Sequence, residues 1–169
     1  LGDGRGFLYA QIKKNGQWYD LGTKGSGQTP YSRKGDGKLT LKGAVREALA
    51  TEMLESLGVK TSKTACFFET GENLNRNDEP SPTRSAVLTR FSLGHIRIGT
   101  FQRLAYFKQT ENIKKLVSYC LNFYFQEAND SSVEHFFSAV VKANAELVAS
   151  VMMAGFIHGV LNTDNINIS

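Results

Sequence analysis

The hydrophobic pattern of this 169-residue chain changes once, near residue 100. Before that point, short strand-like runs alternate with turns around one helical repeat, and after it only helical repeats follow. The Asn15-Gly16 pair separates two strand-like runs, 7–12 and 17–21, and predicts a tight hairpin because both residues tolerate a positive φ. We therefore expect an α+β protein of two unequal lobes that meet at a cleft, a sheet-containing lobe over residues 1–100 and a partial helical lobe over 101–169.

The other elements of the first lobe are predicted from apolar spacing. An apolar residue at every fourth position indicates a helix with Gly58 as its C-terminal stop; the repeating residues are Leu41, Val45, Leu49, Met53 and Leu57. Strands are predicted at 64–68 and 86–91. We expect the polar stretch between them, 69–84, to be an exposed loop.

Two helices are predicted in the second lobe. The first is indicated by an apolar stripe, which consists of Ile113, Leu116, Val117, Cys120, Leu121 and Tyr124. The second begins at a capping box from Ser131 to Glu134 and has an apolar stripe from Phe137 to Val151. It is expected to end near Gly155.

Composition limits the classes of partner. The net charge of +4 fits an anionic small ligand and weak nucleic-acid contact equally well. The basic residues form no long run, so we expect no disordered basic tail. We expect no specific nucleic-acid partner. We also expect no membrane partner, since no apolar run approaches the about 18 residues of a span. Cys66 and Cys120 lie in apolar stretches, which favours two buried thiols in a reducing compartment over a disulfide.

The segment from Lys24 to Gly37 has the composition of a phosphate-binding loop. Its glycines allow backbone amides to approach an oxyanion; the segment also supplies three cations and three hydroxyls, from Lys24, Arg33, Lys34, Thr29, Tyr31 and Ser32. It is not a Walker A loop, because no Gly-Lys-Ser/Thr ends it and opens a helix. A solvated surface loop is the alternative interpretation.

Charged residues elsewhere in the first lobe fit the same ligand. A strand lysine held by a helix glutamate is the arrangement by which protein kinases bind phosphates, and Lys24 with Glu47 matches it; a solvated Glu47 is the alternative. Arg90 and Arg97 lie in apolar surroundings and need partners. Those partners are either the phosphates of a ligand or structural glutamates.

The strongest local signal is the loop from His158 to Asn165. In protein kinases an Asn that binds Mg²⁺ stands seven positions after the His of the catalytic loop, and Asn165 keeps that spacing from His158. Val160 stands where a kinase has its catalytic Asp, and valine accepts no proton. Asp164 is the nearby carboxylate that can serve as a base. A simple turn is the alternative for Asp164-Asn165.

These motifs occur together, in the same order, in one known family. The chain resembles the selenoprotein O family, protein adenylyltransferases built on a pseudokinase fold, over nearly its whole length. The residues that carry the resemblance are Leu1-Gly2-Asp3-Gly4-Arg5, Lys24-Gly25-Ser26-Gly27, Thr29-Pro30-Tyr31-Ser32-Arg33, Gly35-Asp36-Gly37, Arg46-Glu47, Leu88-Thr89-Arg90, His95-Ile96-Arg97-Ile98-Gly99 and His158-Gly159-Val160-Leu161-Asn162-Thr163-Asp164-Asn165.

The resemblance implies a protein-kinase-like two-lobed fold and transfer of AMP, rather than of the γ-phosphate, from ATP to Ser, Thr or Tyr hydroxyls of proteins. ATP is expected in a flipped orientation, with Mg²⁺, or Mn²⁺ in its place. The implied nucleotide contacts are Gly2, Gly4, Arg5, Asp36 and Gly37. Lys24 with its partner Glu47, Arg90 and Arg97 are implied phosphate ligands, Asp164 the proton acceptor and Asn165 a metal ligand.

The same resemblance sets expectations about what lies beyond this chain. The family has a second metal-binding Asp shortly after the terminal loop, so we expect a fold truncated at the catalytic loop and a 169-residue piece that is itself inactive. A phosphotransferase and a nucleotide-binding pseudoenzyme are the alternatives. A bacterial member is expected in the cytoplasm and a eukaryotic one in mitochondria. The protein targets and the choice between ATP and UTP are not encoded in these motifs.

Overall fold

A computed structural model describes residues 6–32, 34–125 and 132–169 of the chain. The chain divides into two compact units, Leu1–Ser92 and Leu93–Ser169. The division falls after Ser92 rather than at residue 100, because the backbone at 96–99 is hydrogen-bonded to residues 163–168 of the second unit.

The first unit is built around an antiparallel sheet. The strands described are β1 (Gly6–Lys14), β2 (Gln17–Lys24), β3 (Leu39–Thr40), β4 (Lys63–Leu74) and β5 (Thr83–Ser92). The order runs β1-β2-β5-β3, and β4 pairs with β5 as well. The β1–β2 hairpin turns at Asn15 and Gly16, whose φ angles of 51° and 82° are those that the sequence predicts.

One helix, α1 (Leu41–Ser56), packs in the first unit. Thr40 caps it, since its hydroxyl accepts from the Gly43 amide at 3.1 Å, and Gly58 ends it with a φ of 77°. The core beside it contains Leu39, Ala44, Ala86 and Leu88. The apolar repeat therefore predicts the helix correctly but not its buried face. Four of its five residues are exposed: Val45, Leu49, Met53 and Leu57.

The second unit is helical, with α2 (Ile98–Tyr106), α3 (Thr110–Tyr124) and α4 (Val133–Met153). The stripe predicted on α3 does form the core: Val117, Cys120 and Leu121 are buried with Phe136 of α4. The prediction for α4 needs two corrections. Ser132, whose hydroxyl accepts from the His135 amide, is the N-cap, while Ser131 lies outside the described residues. Phe136 rather than Phe137 faces the core, and Phe137 is exposed.

The polar stretch 69–84 was predicted to be a loop, and this prediction is wrong for most of its length. β4 continues through it to Leu74 and β5 begins at Thr83, so only 75–82 connect the two strands. The polar side chains lie on the exposed end of a hairpin, where Arg84 pairs with Glu69. An exposed two-stranded extension has no apolar face that a sequence pattern could reveal.

Among the described residues, α4 is the one helix long and apolar enough to cross a membrane, with a mean hydropathy of 1.4 over an 18-residue window. Lys142 and Glu146 form an ion pair of 3.9 Å near its middle. Charged groups at the centre of a bilayer are costly, and Phe136 is the residue of α4 that the structure describes as buried.

Candidate functional site

Two cationic side chains of the first unit share the carboxylate of one glutamate. We call the three residues the lysine–glutamate cluster: Lys24, Glu47 and Arg90. Lys24 Nζ donates to Glu47 Oε1 at 2.5 Å, and Arg90 Nη1 donates to Glu47 Oε2 at 3.2 Å. The three side chains are 25–29% exposed. Two cations around one anion leave a positive excess, so the cluster favours a further anion nearby.

Regular structure holds each member of the cluster. Lys24 is the last residue of β2 and lies opposite Leu88 of β5, while Arg90 lies opposite Gly22 in the same pair of strands. Glu47 lies in the second turn of α1, which the Thr40 cap anchors beside β3. Glu47 is therefore an ion-pair residue rather than a solvated one. The sequence allowed either a ligand phosphate or a glutamate as the partner of Arg90, and the structure shows a glutamate, Glu47. Arg90 also donates to Ser62 Oγ.

A cavity of about 260 Å³ lies beside the cluster, within the first unit. Its lining is strongly polar and contains four cationic and three acidic side chains. The lining residues are Lys24, Lys38, Leu39, Thr40, Gly43, Arg46, Glu47, Arg76, Asp78 and Glu79. Two of these cations are paired with acids beside the cavity, Lys38 with Glu72 and Arg76 with Asp36. The features of the cavity that suit an anionic ligand are therefore Lys24 and the position of the cavity at the start of α1.

We call the segment from Lys24 to Gly37 the glycine segment. Its two ends, around Gly27 and around Gly37, are its two arms, and they lie side by side. The Gly27 amide donates to the Gly37 carbonyl at 3.3 Å, and Ser26 pairs with Lys38. A Cβ on Gly25 would lie 2.6 Å from Leu39 Cβ, and one on Gly37 would overlap the Gly27 carbonyl. Both glycines have positive φ, so the close approach of the two arms requires them.

Asp36 is held by an arginine from outside the glycine segment. Arg76 Nη1 and Nη2 contact the two Asp36 oxygens at 2.8 and 3.1 Å, and the Lys38 amide donates to Oδ1 at 2.9 Å. Partial burial by itself would raise the pKa of Asp36. The hydrogen bonds from Arg76 and Lys38 and the charge of Arg76 outweigh it, so that this pKa lies below its usual value.

Two hydroxyl residues of the glycine segment have local roles, and several other predicted residues lie outside the described part of the chain. Ser32 Oγ accepts from the Thr29 amide at 2.8 Å, and Thr29 Oγ1 accepts from the Tyr31 amide at 3.1 Å, so these hydroxyls shape a turn. Gly2, Gly4, Arg5 and Arg33 lie outside the described residues.

In the second unit, the segment that carries Arg97 runs beside the end of the terminal loop. The Ile98 amide donates to Ile166 O at 3.2 Å, and the Ile168 amide donates to Ile96 O at 2.9 Å. Arg97 itself pairs with Asn167 as an isolated antiparallel bridge. The motif around Arg97 and the terminal loop therefore form one structural piece, although more than 60 positions separate them in sequence.

The terminal loop fixes Asp164 and Asn165 through its own polar groups. The Asp164 amide donates to Asn162 Oδ1 at 3.0 Å, and Asn165 Nδ2 donates to Val160 O at 2.8 Å. Because the nitrogen end of the Asn165 amide faces the loop backbone, Oδ1 is the end that can meet a cation. The carboxylate of Asp164 lies next to Gly99, where a Cβ would overlap Oδ1.

The oxygen donors of the terminal loop are of the kind that Mg²⁺ prefers, a carboxylate and a side-chain amide. Within the described ranges, however, no three His, Cys, Asp or Glu side chains group closely enough to hold a metal ion. Asn165 thus fits part of a magnesium site whose other ligands come from phosphates, water or further protein residues, while Asp164 supplies a carboxylate beside it.

Sequence reasoning missed Arg76 as a residue of this site. It lies in the stretch that was predicted to be an exposed loop, where an arginine draws no notice. In the folded chain, Asp36 and Lys38 are matched by Arg76 and Glu72 of opposite charge. Such a match over about 40 positions is visible only once the strands are paired.

Curated relatives cover the whole of this chain. It is 57% identical over 175 residues to a protein nucleotidyltransferase YdiU of Synechocystis, and 56% identical over 172 residues to that of Trichormus variabilis. A Clostridium botulinum protein of the same name is 40% identical over 172 residues. The chain spans 37%, 36% and 34% of the length of these three relatives.

All three relatives carry the name of one class, the protein nucleotidyltransferases. The family model described as protein adenylyltransferase SelO matches residues 1–169, which is the whole chain. The chain belongs to the SelO family.

Proposed function

We propose that the full-length protein transfers AMP from ATP to hydroxyl groups of protein side chains, with Mg²⁺ or Mn²⁺. The observation that carries the proposal is the shared Glu47 carboxylate, which contacts both Lys24 and Arg90. Membership of the SelO family and the names of the relatives support the reaction class.

We also propose that the fold is protein-kinase-like. The first unit has a strand that ends in Lys24, then the helix with Glu47, and then two further antiparallel strands. In protein kinases a strand lysine and a helix glutamate pair in the same way to bind phosphates. The helical second unit with its terminal loop has the order expected of the other lobe.

The cluster would bind the phosphates of ATP. Glu47 keeps the Lys24 ammonium and the Arg90 guanidinium in place, and their excess positive charge offsets the charge of the triphosphate. Gly25 and Gly37 allow the backbone of this segment to pack closely, and its amides would donate to phosphate oxygens. Arg97 would be a further phosphate ligand. Gly2, Gly4, Arg5, Asp36 and Gly37 would contact the nucleotide.

In the transfer step, the hydroxyl oxygen of the acceptor protein forms a bond to the α-phosphorus of ATP. The bond from that phosphorus to the bridging oxygen of the β-phosphate breaks, and pyrophosphate leaves with the electron pair. The Asp164 carboxylate takes the proton of the hydroxyl. Gly99 and Asn162 hold Asp164 in the position from which it would do so.

Asn165 would contribute its amide oxygen to the divalent cation. The cation, when bound, neutralises phosphate charge and so assists departure of pyrophosphate. The contact of Asn165 Nδ2 with Val160 O orients the amide for this role.

Transfer of the γ-phosphate is the alternative reaction, and the residue at position 160 argues against it. Val160 stands where a protein kinase has its catalytic Asp, and its side chain cannot accept a proton. A pseudoenzyme that binds ATP without transfer is the second alternative.

The test uses the full-length protein, Mg²⁺, an acceptor protein and ATP that carries ³²P at either the α- or the γ-position. The proposal predicts label in the acceptor from α-labelled ATP and none from γ-labelled ATP. Label from the γ-position alone would indicate a phosphotransferase. ATP binding without label from either position would indicate a pseudoenzyme.

A further inference from the structure

Arg76 lies in the connection between β4 and β5, and one hydroxyl fixes its backbone from both sides. The Arg76 amide donates to Ser81 Oγ at 2.7 Å, and that hydroxyl donates to the Arg76 carbonyl at 2.9 Å. The connection is therefore a structured turn, and it directs the Arg76 side chain toward the glycine segment.

The contact between Arg76 and Asp36 is bidentate, with two parallel hydrogen bonds. Nη1 meets Oδ2 at 2.8 Å and Nη2 meets Oδ1 at 3.1 Å, while Nη2 also approaches the Lys38 carbonyl at 3.4 Å. A guanidinium that binds a carboxylate through two parallel bonds fixes its orientation as well as its distance. The Arg76 side chain is 23% exposed and the Asp36 side chain 47%, so the two-bond geometry rather than burial distinguishes this pair from an ordinary surface pair.

A second ion pair joins the same two parts of the unit. Lys38 Nζ donates to both oxygens of Glu72, at 3.0 and 2.9 Å, and Glu72 belongs to β4. The segment 36–38 is thus held at two points by β4 and the turn that follows it.

Any shift of the segment 36–38 would be passed on to the other arm of the glycine segment. Gly37 is so close to Gly27 that a Cβ would not fit between them, and the Gly27 amide donates to the Gly37 carbonyl. The Gly27 arm follows directly after Lys24. Arg76 also lines the same cavity as Lys24 and Glu47.

We propose that Arg76 is a positioning residue for nucleotide binding, because it holds the Asp36 carboxylate and thereby fixes the backbone of 36–38 in its binding position. The inference rests on the proposed function, in which Asp36 and Gly37 contact the nucleotide. We expect Arg76 to act on the affinity for ATP and not on the chemical step, because its guanidinium holds the segment 36–38.

The experiment measures the Kd of ATP with Mg²⁺ by calorimetric titration of the full-length protein. Arg76→Gln is expected to weaken binding about tenfold, as loss of a two-pronged charged contact does. The KM for ATP should rise with it, while kcat stays within about twofold. The matched control is Arg84→Gln, because Arg84 also makes a two-pronged contact, with Glu69 on the same hairpin, and does not line the cavity. It should leave the Kd within about twofold.

A double-variant cycle separates positioning from direct contact. If Arg76 acts through Asp36, the Asp36→Asn, Arg76→Gln double variant binds ATP no more weakly than Asp36→Asn alone. Effects that multiply, or an Arg76→Gln variant with unchanged Kd, would overturn the inference. Arg76→Lys keeps the charge but not the fork, and its Kd should lie between those of the wild type and Arg76→Gln.

The titration also keeps this inference apart from the proposed function. A wild-type protein that binds ATP but transfers no AMP would contradict the proposed function, and the cycle would still decide the role of Arg76. A wild-type protein that binds no ATP would contradict both. Should Arg76→Gln fail to fold, the comparison of Arg76→Lys with Arg84→Lys takes its place.

Discussion

The Asp164 carboxylate lies against Gly99 in the second unit. A Cβ on Gly99 would overlap Asp164 Oδ1. The Gly99 amide also donates to the Thr163 carbonyl at 2.9 Å, so the backbone and a side chain of the terminal loop both meet this glycine. Only a residue without a side chain leaves the Asp164 carboxylate in its present position.

Gly99→Ala is therefore expected to lower kcat for AMP transfer at least about tenfold, with a smaller change in the KM for ATP. Gly99 lies in α2, where alanine favours the helix by about 1 kcal/mol, so the overlap and not helix propensity is the cause of the loss. Steady-state kinetics of the full-length protein measure the effect. In an Asp164→Ala background the same change should add little, and a wild-type kcat for Gly99→Ala would contradict the assignment.

The sequence predicts those features of the fold that depend on local backbone chemistry. The structure confirms the Asn15-Gly16 turn and the Gly58 stop. Both were predictable because Gly and Asn adopt a positive φ more readily than other residue types. The choice of buried face is less predictable. Leu49 belongs to a regular apolar repeat and yet is 67% exposed, since Ala44 and Leu54 make the contacts of α1 instead. A helix can carry more than one apolar stripe, and tertiary packing selects among them.

The contacts of the candidate site were also predictable only in part. The contact between Lys24 and Glu47 was predicted from the strand-lysine and helix-glutamate arrangement of protein kinases, and the structure brings the two side chains together. The contact between Asp36 and Arg76 was not predicted, because it depends on where the polar stretch 69–84 folds back as a hairpin. The roles of these residues toward ATP stay predictions.

Glu47→Gln should destabilise the first unit and lower activity. It removes the anion between Lys24 and Arg90 and leaves two half-buried cations close together, at a cost of about 1–3 kcal/mol in the free energy of unfolding. We expect kcat/KM for ATP to fall at least about tenfold, because Lys24 loses its orientation. Urea unfolding and steady-state kinetics measure the two effects.

Glu55→Gln is the matched control for Glu47→Gln. Glu55 lies on the same helix and also pairs with a lysine, Lys63, but both side chains are largely exposed, at 41% and 57%. An exposed pair contributes about 0–1 kcal/mol, so this variant should keep nearly wild-type stability and activity. Equal losses in the two variants would show that Glu47 has no special role.

The Asp36–Arg76 pair should make stability depend on pH in the acid range. Because the pKa of Asp36 is lower in the folded than in the unfolded chain, its contribution is complete above the unfolded value of about 3.9. It is lost as the pH falls through the folded value. The difference in urea midpoint between wild type and Asp36→Asn should therefore be largest above about pH 5 and shrink toward pH 3. A difference that grows as the pH falls would contradict this assignment.

The two cysteines should differ sharply in reactivity. Burial raises the pKa of the Cys120 thiol to about 12, and its side chain is fully inaccessible, whereas Cys66 is partly exposed. At pH 8 an alkylating reagent should modify Cys66 in the native protein and Cys120 only after unfolding. Peptide mapping by mass spectrometry shows which thiol reacts. Rapid native alkylation of Cys120 would contradict the buried position.

The most direct test of whether the lysine–glutamate cluster and the terminal loop serve one reaction is the intact mass of the acceptor protein after incubation with ATP and Mg²⁺. The wild-type full-length protein should add the mass of AMP, and Lys24→Ala and Asn165→Ala should each slow that addition at least about a hundredfold. A gain of only a phosphate, or an unchanged rate of AMP addition in either variant, would contradict the claim.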